Sequence, residues 1–426
     1  LAVVAVLALG YGGVCEDMIG MNTESGSSAK KSFWTIQSGT ILDDTAYDVK
    51  TESNGNIYVS GTTGGNLHDQ IRPTNQVYSF IAKYSSDGSR RWTRISDYTS
   101  AYGRSLSLDS YGKAYLAYFV GFDYGSFMEK YTTDGVKEWV RPVSTTAVVS
   151  DIMVDSAGNI CITGSNQRER VHGVGNISYE YDNMFVSKYA SDMTLIWGHT
   201  IKSDGNGDFA NAIATDSNGN VYIAGQVSGN LDGNMSAGEN DIFIIKYNPE
   251  GVKQWTIQSG TNLSETIQDI VIDSNNNMYA VGATLGNLDG NTGIITLKYN
   301  SDGIRQWTRG LGSPGNHAYG VSLDPVGNLY VAGITCENLD GNAFVGGSAG
   351  NYFITKYTVD GVKQWTRISG TYIDSPSRFT CANGVAADFN GNIYAVGITY
   401  GSLDGNTPMG QADYFVVKYN SSGIKQ

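Results

Sequence analysis

Four short segments of this chain repeat the residues Leu-Asp-Gly-Asn, and their side chains are the clearest candidates for binding chemistry. The segments lie at 231–234, 288–291, 339–342 and 403–406. Their oxygen-bearing side chains are those of Asp232, Asn234, Asp289, Asn291, Asp340, Asn342, Asp404 and Asn406. Such oxygens are calcium ligands, but calcium takes about six to eight of them. Asp-Gly and Gly-Asn pairs also form tight turns without any ion.

The number of oxygen ligands near each segment decides between an ion site and a turn. Asp241 follows Asn234 by seven residues and Asp413 follows Asn406 by seven, so each offers a third side chain. Asn351 stands at the matching position of the third segment, and no carboxylate follows the second segment. This count falls short of a calcium site. We therefore predict turns on a candidate binding face, with no metal or other cofactor, and keep calcium binding as the alternative.

Residues of the types that perform catalysis do not form a recognisable arrangement. The four histidines lack the spacing of metal ligands, and neither a Gly-x-Ser-x-Gly elbow nor a phosphate-binding loop lies near them. We predict no catalytic residues. The histidines are interpreted as loop residues; they are His68, His172, His199 and His317.

The composition favours an all-β fold and excludes several classes of partner. The 426 residues are 40% hydrophobic and include 54 glycines, 28 tyrosines and only 7 prolines. Tyrosine suits strands, and glycine suits tight turns. The net charge of −13 opposes binding to nucleic acids and to anionic membrane surfaces.

Three sequence markers each occur seven times and divide the chain into repeats. The first is tryptophan, at Trp34, Trp92, Trp139, Trp197, Trp255, Trp307 and Trp365. The second is a turn of the type Asp-Ser-x-Gly-Asn, which opens at Glu52, Asp109, Asp155, Asp216, Asp273, Asp324 and Asp388. The third is Lys-Tyr at the end of an apolar stretch, as at 246–247. A period of about 50–60 residues is typical of a repeat architecture.

Each repeat contains four short strands, marked by alternating apolar residues and by turn residues. In the best-preserved repeat the strands are predicted at 211–216, 221–225, 241–247 and 253–258. A four-stranded unit of this kind cannot bury both faces alone, so such units stack radially. The sequence therefore predicts a seven-bladed β-propeller of four-stranded antiparallel blades.

The two ends of the chain predict how the ring closes. The last repeat stops at Gln426, where its tryptophan strand is due, and residues 33–38 are a tryptophan strand with no repeat before it. We predict that this N-terminal strand completes the last blade and leaves no free sheet edge. The alternative is a fragment cut within a repeat.

The order of these motifs resembles the bacterial β-propeller repeat family known as SBBP repeats. The clearest stretch is DSNGNVYIAGQVSGNLDGN (216–234), followed by DIFIIKYNPEGVKQWTIQSGT (241–261). The resemblance covers about residues 33–426. It implies a β-propeller of a secreted protein, a cell-surface protein or a lipoprotein. It implies no particular activity and no catalytic residues.

The N-terminal residues differ from the repeats. Residues 1–15 contain the apolar run LAVVAVLALG, which resembles a signal peptide and is too short for a transmembrane helix. Residues 16–31 are interpreted as a polar linker, so that the propeller spans 32–426. Cys15 is a candidate for lipidation, although Val14 stands where a small residue is usual. We therefore expect export to the bacterial envelope or the medium, with a lipid anchor or without one.

Further side chains are predicted to act in packing. Cys336 and Cys381 lie in neighbouring blades, and we predict a disulfide between them, which requires export. The acids that open the turns are predicted to pair with the lysines of the third strands within each blade. The tryptophans are predicted to pack between blades.

The sequence predicts a non-catalytic extracellular or cell-surface scaffold for binding or adhesion. The ligand is expected to be a protein or a glycan on the loop face of a monomeric ring, chiefly at the loops 64–79 and 165–183. The alternative is a propeller enzyme, such as a lyase or lactonase, whose polar groups gather over the central channel. Unlike polar residues that break the sevenfold regularity at one channel mouth would favour the enzyme. In this sequence the irregularity is assigned to loop length and loop composition, which favours binding. A surface-layer component is a third interpretation.

Overall fold

The computed structural model describes residues 34–426, except 74–75, 172–176, 346–349, 374 and 376–377. The predicted signal peptide (1–15), the predicted linker (16–31) and the candidate lipidation residue Cys15 lie outside the described residues. Within the described part of the chain, no helix is long and apolar enough to cross a membrane.

The described residues form seven four-stranded antiparallel sheets, which are the blades of a ring. Blade 1 contains β2 (Asp44–Thr51), β3 (Ile57–Thr63), β4 (Tyr78–Tyr84) and β5 (Arg90–Ile95). Blade 2 contains β6 (Tyr102–Leu108), β7 (Ala114–Phe119), β8 (Ser126–Tyr131) and β9 (Lys137–Ser144). Blade 3 contains β10 (Ala147–Val154), β11 (Ile160–Val171), β12 (Ile177–Tyr189) and β13 (Leu195–Ile201). Blade 4 contains β14 (Phe209–Thr215), β15 (Val221–Val227), β16 (Asp241–Tyr247) and β17 (Lys253–Ser259). Blade 5 contains β18 (Glu265–Ile272), β19 (Met278–Leu288), β20 (Asn291–Tyr299) and β21 (Arg305–Leu311). Blade 6 contains β22 (His317–Leu323), β23 (Leu329–Thr335), β24 (Asn351–Tyr357) and β25 (Lys363–Ser369). Blade 7 contains β26 (Thr380–Ala387), β27 (Ile393–Thr399), β28 (Asp413–Tyr419) and β1 (Thr35–Ser38). A short helix, α1 (Gly121–Tyr124), joins β7 to β8.

The strands of each blade follow one another from the centre of the ring outward. The first strands of neighbouring blades contact each other, as β2 contacts β6 and β26. The first strands therefore line the central channel, and the tryptophan strands form the outer edge. The predicted seven-bladed all-β propeller is confirmed, and the strand bounds predicted for blade 4 differ from those observed by at most two residues.

The ring closes through β1, which is the outer strand of blade 7. β1 pairs antiparallel with β28, where Thr35 lies opposite Val417. The main-chain N of Trp34 donates a hydrogen bond of 2.5 Å to the carbonyl oxygen of Gln426. The sequence Lys-Gln-Trp-Thr, which is continuous at 253–256 in blade 4, is thus assembled in blade 7 from the two ends of the described chain. The predicted closure by the N-terminal strand is confirmed.

The tryptophans fill the space between neighbouring blades. Between blades 3 and 4, Trp197 Nε1 donates to the carbonyl oxygen of Pro249 at 2.9 Å. Gly251 lies against the indole ring, because a Cβ on this glycine would stand 2.7 Å from two ring atoms. The same contact joins Trp34 to Gly88, Trp92 to Gly135, Trp255 to Gly303, Trp307 to Gly361 and Trp365 to Gly423. The prediction that tryptophans pack between blades is confirmed.

The predicted ion pairs between turn acids and strand lysines form in blades 1 and 3. Lys83 lies 2.8 Å from Glu52, and Lys188 lies 3.0 Å from Asp155. In blade 4, Lys246 instead donates to the carbonyl oxygen of Ser301 in blade 5, at 2.9 Å. Lysines of blades 5, 6 and 7 likewise donate to carbonyl oxygens in the turn of the next blade, at Val359, Ser421 and Ser86. In blade 2, Lys130 pairs with Glu138. The pairing prediction is therefore wrong for blades 2 and 4 to 7, where the lysine finds another acceptor.

The predicted loop at 165–183 in blade 3 consists mostly of strand. β11 and β12 continue their ladder as far as Val171 and Ile177. Residues 177–182 alternate isoleucine and tyrosine with polar residues, a pattern that favours an extended backbone. The loop prediction is therefore wrong for the described residues of this segment, which are 165–171 and 177–183.

The predicted disulfide between Cys336 and Cys381 is wrong. Cys381 is a free and buried thiol. It packs against Ile398 and Ala412, and its Sγ lies 3.5 Å from Asn383 Oδ1. Burial in this apolar cluster raises the pKa of the Cys381 thiol far above its usual value, which makes the group inert.

Candidate functional site

The four Leu-Asp-Gly-Asn segments are tight turns between the second and third strands of blades 4 to 7. In blade 4, Asp232 and Gly233 have φ angles of 53° and 82°. The main-chain N of Asn234 donates to the carbonyl oxygen of Leu231 at 2.9 Å. Two successive positive φ angles define a type I′ turn, for which Asp-Gly is a preferred pair. The corresponding aspartates Asp289, Asp340 and Asp404 have φ angles of 53°, 50° and 53°.

The turn aspartates are neutralised by the outer strand of the same blade. Asp232 Oδ2 accepts a hydrogen bond of 2.5 Å from Thr256 Oγ1 and lies 2.6 Å from Lys253 Nζ. The equivalent partners are Arg305 and Thr308 for Asp289, Lys363 and Thr366 for Asp340, and Lys425 and Thr35 for Asp404. The charge of each turn carboxylate is thus balanced within its blade.

The two candidate third ligands, Asp241 and Asp413, are buried and bound elsewhere. Gln258 Nε2 donates to Asp241 at 2.7 Å, and Gln37 Nε2 donates to Asp413 at 2.8 Å. Among the described residues, no group of three or more His, Cys, Asp or Glu side chains is placed to hold a metal ion. The eight predicted binding residues have the geometry of turns, and their role as a binding surface stays a prediction.

A second group of polar side chains lies where the first strands enter the central channel, on the loop face. Every first strand has a β-bulge near its start, as between Ala46 and Asp48 in β2. A bulge inserts one residue without a partner on the neighbouring strand and re-aims its side chain. We call the seven inserted residues the mouth ring; they are Tyr47, Arg104, Ser150, Asn211, Gln268, Tyr319 and Asn383.

The mouth ring is chemically irregular on a regular backbone. All seven side chains are half-buried, whereas the residue before each of them is buried. Two phenols, one guanidinium, one hydroxyl and three carboxamides occupy equivalent positions in seven similar blades. The ring therefore breaks the sevenfold regularity at one channel mouth.

Contacts within the mouth orient several of these side chains. Asn383 Nδ2 donates to a carbonyl oxygen of the first strand of blade 1 at 2.8 Å. Tyr319 stacks on His317, with ring centroids 6.0 Å apart and planes inclined by 13°. Burial raises the pKa of Tyr47, and the positive charge of Arg104 opposes that rise. His317 lies on a strand, so the interpretation of every histidine as a loop residue is wrong.

Deeper in the channel, three aspartates lie on alternate blades, at the position after the bulge. They are Asp48, Asp151 and Asp269. Their Oδ2 atoms accept hydrogen bonds from the next blade, from the main-chain N of Leu106, Ile213 and Val321 at 2.9, 2.8 and 2.8 Å. Lys50 Nζ lies 2.7 Å from Asp48. These carboxylates therefore join blades and also place charge in the channel.

The charges in the channel shift one another's proton affinities. Burial raises the pKa of Asp151 to about 6. Burial and the charge of Asp151 raise the pKa of Asp269 to about 8. Burial alone would lower the pKa of Lys50, but Asp48, Asp151 and Asp269 together raise it. At neutral pH the channel holds a charged lysine, a mostly ionised Asp151 and a mostly protonated Asp269, and such a difference between two carboxyl groups suits acid–base chemistry.

Between Asp269 of blade 5 and Asp48 of blade 1, the channel wall has no side chain at this level. Blades 6 and 7 carry glycine at the position of the channel aspartates. A Cβ on Gly320 would lie 3.0 Å from the Cα of Gly384, so the close approach of these two main chains requires glycine.

The mouth ring and the channel aspartates were missed by motif analysis, although the sequence contained a signal for them. Each ring member lies five residues before the acid that opens the turn motif, as Tyr47 precedes Glu52 and Arg104 precedes Asp109. Each channel aspartate lies four residues before that acid. The prediction that irregularity resides only in the loops was therefore incomplete.

Comparison with known families supports the repeat assignment. Residues 198–232, from the outer strand of blade 3 to the first turn aspartate, match the SBBP family, described as a beta-propeller repeat. The chain contains an SBBP β-propeller repeat. The resemblance derived from the sequence is thereby confirmed, and the SBBP unit is seen to straddle two blades.

Two curated proteins are similar in sequence to this chain. The regulatory protein FlaEY of Caulobacter vibrioides is 27% identical over 314 residues, which cover 64% of this chain and 32% of that protein. An uncharacterized WD repeat-containing protein of Acanthamoeba polyphaga mimivirus is 27% identical over 190 residues, which cover 36% of this chain and 14% of that protein. The chain thus spans a third or less of the length of these relatives.

Solved structures share the fold of this propeller at low sequence identity. The crystal structure of a puromycin hydrolase mutant in complex with PGG matches with a TM-score of 0.53 and 9% identity. The match covers 89% of this chain and 53% of the hydrolase. At this identity the likeness concerns the fold alone.

Proposed function

We propose that the protein is a non-catalytic binding scaffold that holds a glycan or another hydroxyl-rich ligand over the mouth ring. The observation that carries this proposal is that seven unlike polar side chains occupy one equivalent, half-buried position. None of the seven is an aspartate, glutamate, histidine, cysteine or lysine, the residue types that most often act as catalytic acids, bases or nucleophiles, so the irregular ring suits binding better than catalysis. A position with a purely structural role would carry the same residue type in every blade. The contact between tryptophan and glycine is repeated in this way in most blades. Chemical variety at a fixed position is what recognition of an asymmetric ligand requires.

The chemistry of the mouth ring suits such a ligand. Carboxamides and the hydroxyl both donate and accept hydrogen bonds, and the guanidinium of Arg104 donates several in a plane. The rings of Tyr47 and Tyr319 offer apolar faces with a polar tip. These are the groups that a sugar ring, with hydroxyls on its edge and C–H groups on its faces, would contact.

We further propose that this binding occurs outside the cell or on its surface. The apolar segment 1–15 and the SBBP repeat support this location. The four Leu-Asp-Gly-Asn turns lie on the same face as the mouth ring, so in this proposal they supply outer contacts to a ligand that extends beyond the mouth. The proposal involves no metal ion or cofactor at the mouth.

The binding proposal predicts that mouth-ring variants lose ligand binding and keep the fold. In a thermal-shift screen with a glycan panel, a bound glycan should raise the Tm of the unchanged protein, because it binds only the folded state. Arg104→Gln or Tyr319→Phe should weaken that binding about tenfold, since each removes a hydrogen bond at a half-buried site.

Matched control variants lie outside the mouth. Arg141→Gln and Tyr111→Phe change the same residue types at exposed positions on the outer strand of blade 2 and on the opposite end of the ring. These controls should bind like the unchanged protein. Full binding by both mouth variants would contradict the proposal.

A second candidate function, a propeller enzyme, is favoured by the irregular mouth ring taken together with two carboxyl groups deeper in the channel. Asp151 has a pKa of about 6 and Asp269 has a pKa of about 8. One is a suitable general base and the other a suitable general acid near neutral pH.

The enzyme interpretation predicts a bell-shaped pH dependence. Asp151 is ionised above about pH 6, and Asp269 is protonated below about pH 8. Hydrolysis of a lactone panel should therefore be fastest between these values, and Asp269→Asn should lower kcat about 100-fold or more without weakening binding. A measured absence of turnover, or unchanged turnover in the Asp269→Asn variant, would contradict the enzyme interpretation and leave ligand binding as the proposed function.

A further inference from the structure

Two junctions between blades bring buried acids together. Asp241 begins the third strand of blade 4, and Glu265 begins the first strand of blade 5. Asp413 and Asp44 hold the same positions in blades 7 and 1. Exposure of the four side chains is between 0% and 1%. These acidic junctions are distinct from the mouth ring and from the Leu-Asp-Gly-Asn turns.

The two acids at each junction converge on a glycine. A Cβ on Gly39 would lie 2.5 Å from Asp413 Oδ1 and 2.8 Å from Asp44 Oδ2. A Cβ on Gly260 would collide with Asp241 Oδ1 and would lie 2.8 Å from Glu265 Oε2. Because the two oxygens of each junction lie close to one point, they lie close to each other. Glycine is required there to admit them.

Each junction also has a carboxylate oxygen without a partner. Gln258 Nε2 and the main-chain N of Ala237 both bond to Asp241 Oδ2, and Asp241 Oδ1 accepts nothing. At the other junction, Asp413 Oδ2 is bonded in the same way and Asp413 Oδ1 accepts nothing. A buried carboxylate oxygen left in this state is costly.

No positive side chain compensates these acids. Among the described residues, no lysine or arginine forms an ion pair with Asp241, Glu265, Asp413 or Asp44. Each junction thus brings two formal negative charges into the protein interior. Buried charge of this kind requires a counter-charge.

The equivalent junction between blades 6 and 7 is neutral. Asn351 takes the position of Asp241, and Thr380 takes the position of Glu265. Asn351 Oδ1 accepts from the main-chain N of Val345 at 2.9 Å, as Asp241 accepts from Ala237. The fold therefore accommodates asparagine at this position, so the negative charge at the other two junctions is not required by the shape of the junction.

We propose that each acidic junction binds one hard divalent cation, of which calcium is the best fit, so that the ring holds two cations between its blades. The donor atoms are all oxygens, which hard cations prefer over nitrogen or sulfur. The two carboxylates supply the charge and the first ligands, and water molecules or main-chain carbonyl oxygens would supply the rest of the roughly six to eight oxygens that calcium takes. One of the two cations joins blade 7 to blade 1, which is the junction where the ring closes.

The proposal predicts a stoichiometry of two, which calorimetric titration measures directly. Calcium chloride titrated into the chelator-treated protein should bind with two sites per chain. Asp241→Asn or Asp413→Asn should each leave one site, and the double variant should leave none. These variants should fold, because they install the residue found in blade 6.

The matched control is the double variant Asp232→Asn with Asp404→Asn. These aspartates are the carboxylates of the Leu-Asp-Gly-Asn turns and are already paired with Lys253 and Lys425. This control should retain two sites. Calcium should also raise the Tm of the unchanged protein and of the control, but not the Tm of the junction double variant.

Three outcomes would overturn the proposal. The first is no binding at millimolar calcium, which would mean that a shared proton neutralises each junction. The second is binding that persists in the junction double variant. The third is binding that is lost in the turn control, which would mean that the ion binds at the Leu-Asp-Gly-Asn segments instead. If magnesium binds in place of calcium and the variants affect its binding in the same way, the junctions are divalent cation sites of smaller radius.

Discussion

A chain that begins at Gly39 should unfold at a far lower temperature than a chain that begins at Trp34. The shorter chain lacks β1, so blade 7 keeps three strands and an unpaired edge. It also loses the contact of Trp34 and Ile36 with the core and the hydrogen bond from Thr35 to Asp404. Together these losses should cost about 5 kcal/mol or more, counted as about 1 kcal/mol for each lost hydrogen bond and about 2 kcal/mol for each apolar side chain.

The comparison of the two truncations isolates the closing strand. Both lack residues 1–33, and they differ by Trp34 and the four residues of β1. Thermal unfolding measures stability, and light scattering measures association through the exposed edge, which the shorter chain should show. Equal stability of the two chains would mean that the pairing of β1 with β28 contributes nothing to the ring.

Replacing Lys188 with methionine should cost about 3–5 kcal/mol of unfolding free energy. Lys188 and Asp155 form an ion pair at 3.0 Å, with side chains 4% and 3% exposed. Methionine keeps much of the volume but leaves the carboxylate of Asp155 buried without its partner. Removing one partner of a buried ion pair is strongly destabilising, because the remaining charge is no longer compensated. Denaturant unfolding of Lys188→Met and of the unchanged protein measures the difference.

The matched control is Lys246→Met in blade 4. Lys246 donates to the carbonyl oxygen of Ser301 rather than to an acid, and it lies 5.0 Å from the centre of the Tyr222 ring. Its loss removes a hydrogen bond to a neutral group and should cost about 1–2 kcal/mol. Equal costs for the two variants would contradict the role assigned to the buried ion pair.

The pH dependence of the Lys188 effect has a definite sign. Burial alone would raise the pKa of Asp155, but its hydrogen bonds to Asn159 and Lys188 outweigh this and lower it. A carboxyl group whose pKa is lowered in the folded state stabilises the protein above its unfolded pKa of about 3.9 and loses that contribution as the pH falls through the folded pKa. The difference between Lys188→Met and the unchanged protein should therefore shrink below about pH 4.

The blades were predictable because each is encoded by local patterns. Strands of alternating apolar residues, turns of the Asp-Ser-x-Gly-Asn type and one tryptophan per repeat specify a four-stranded unit, and seven copies specify the ring. The closure was predictable for the same reason, because a tryptophan strand at 33–38 and a missing strand at the end of the chain are complementary.

The disulfide and the blade 3 loop could not be predicted in this way. Position in neighbouring blades suggested that Cys336 and Cys381 meet, but the direction of a side chain depends on what packs around it, and Cys381 packs into an apolar cluster. The loop at 165–183 was assigned from its basic and aromatic residues, whereas residues 165–171 and 177–183 extend the ladder between β11 and β12.

The sequence by itself determined the class of fold, the number of blades and the identity of the closing strand, because these follow from periodic patterns within about 60 residues. It also supplied the turn chemistry of the Leu-Asp-Gly-Asn segments. Only the tertiary structure decided which polar residues meet. Tyr47, Arg104 and Tyr319 come from three blades, and Asp44 meets Asp413 across the closure of the ring. Such contacts form only when the blades close into a ring, which brings together residues that are far apart in the sequence. A pattern within one repeat carries no information about which residues of other repeats will lie beside it.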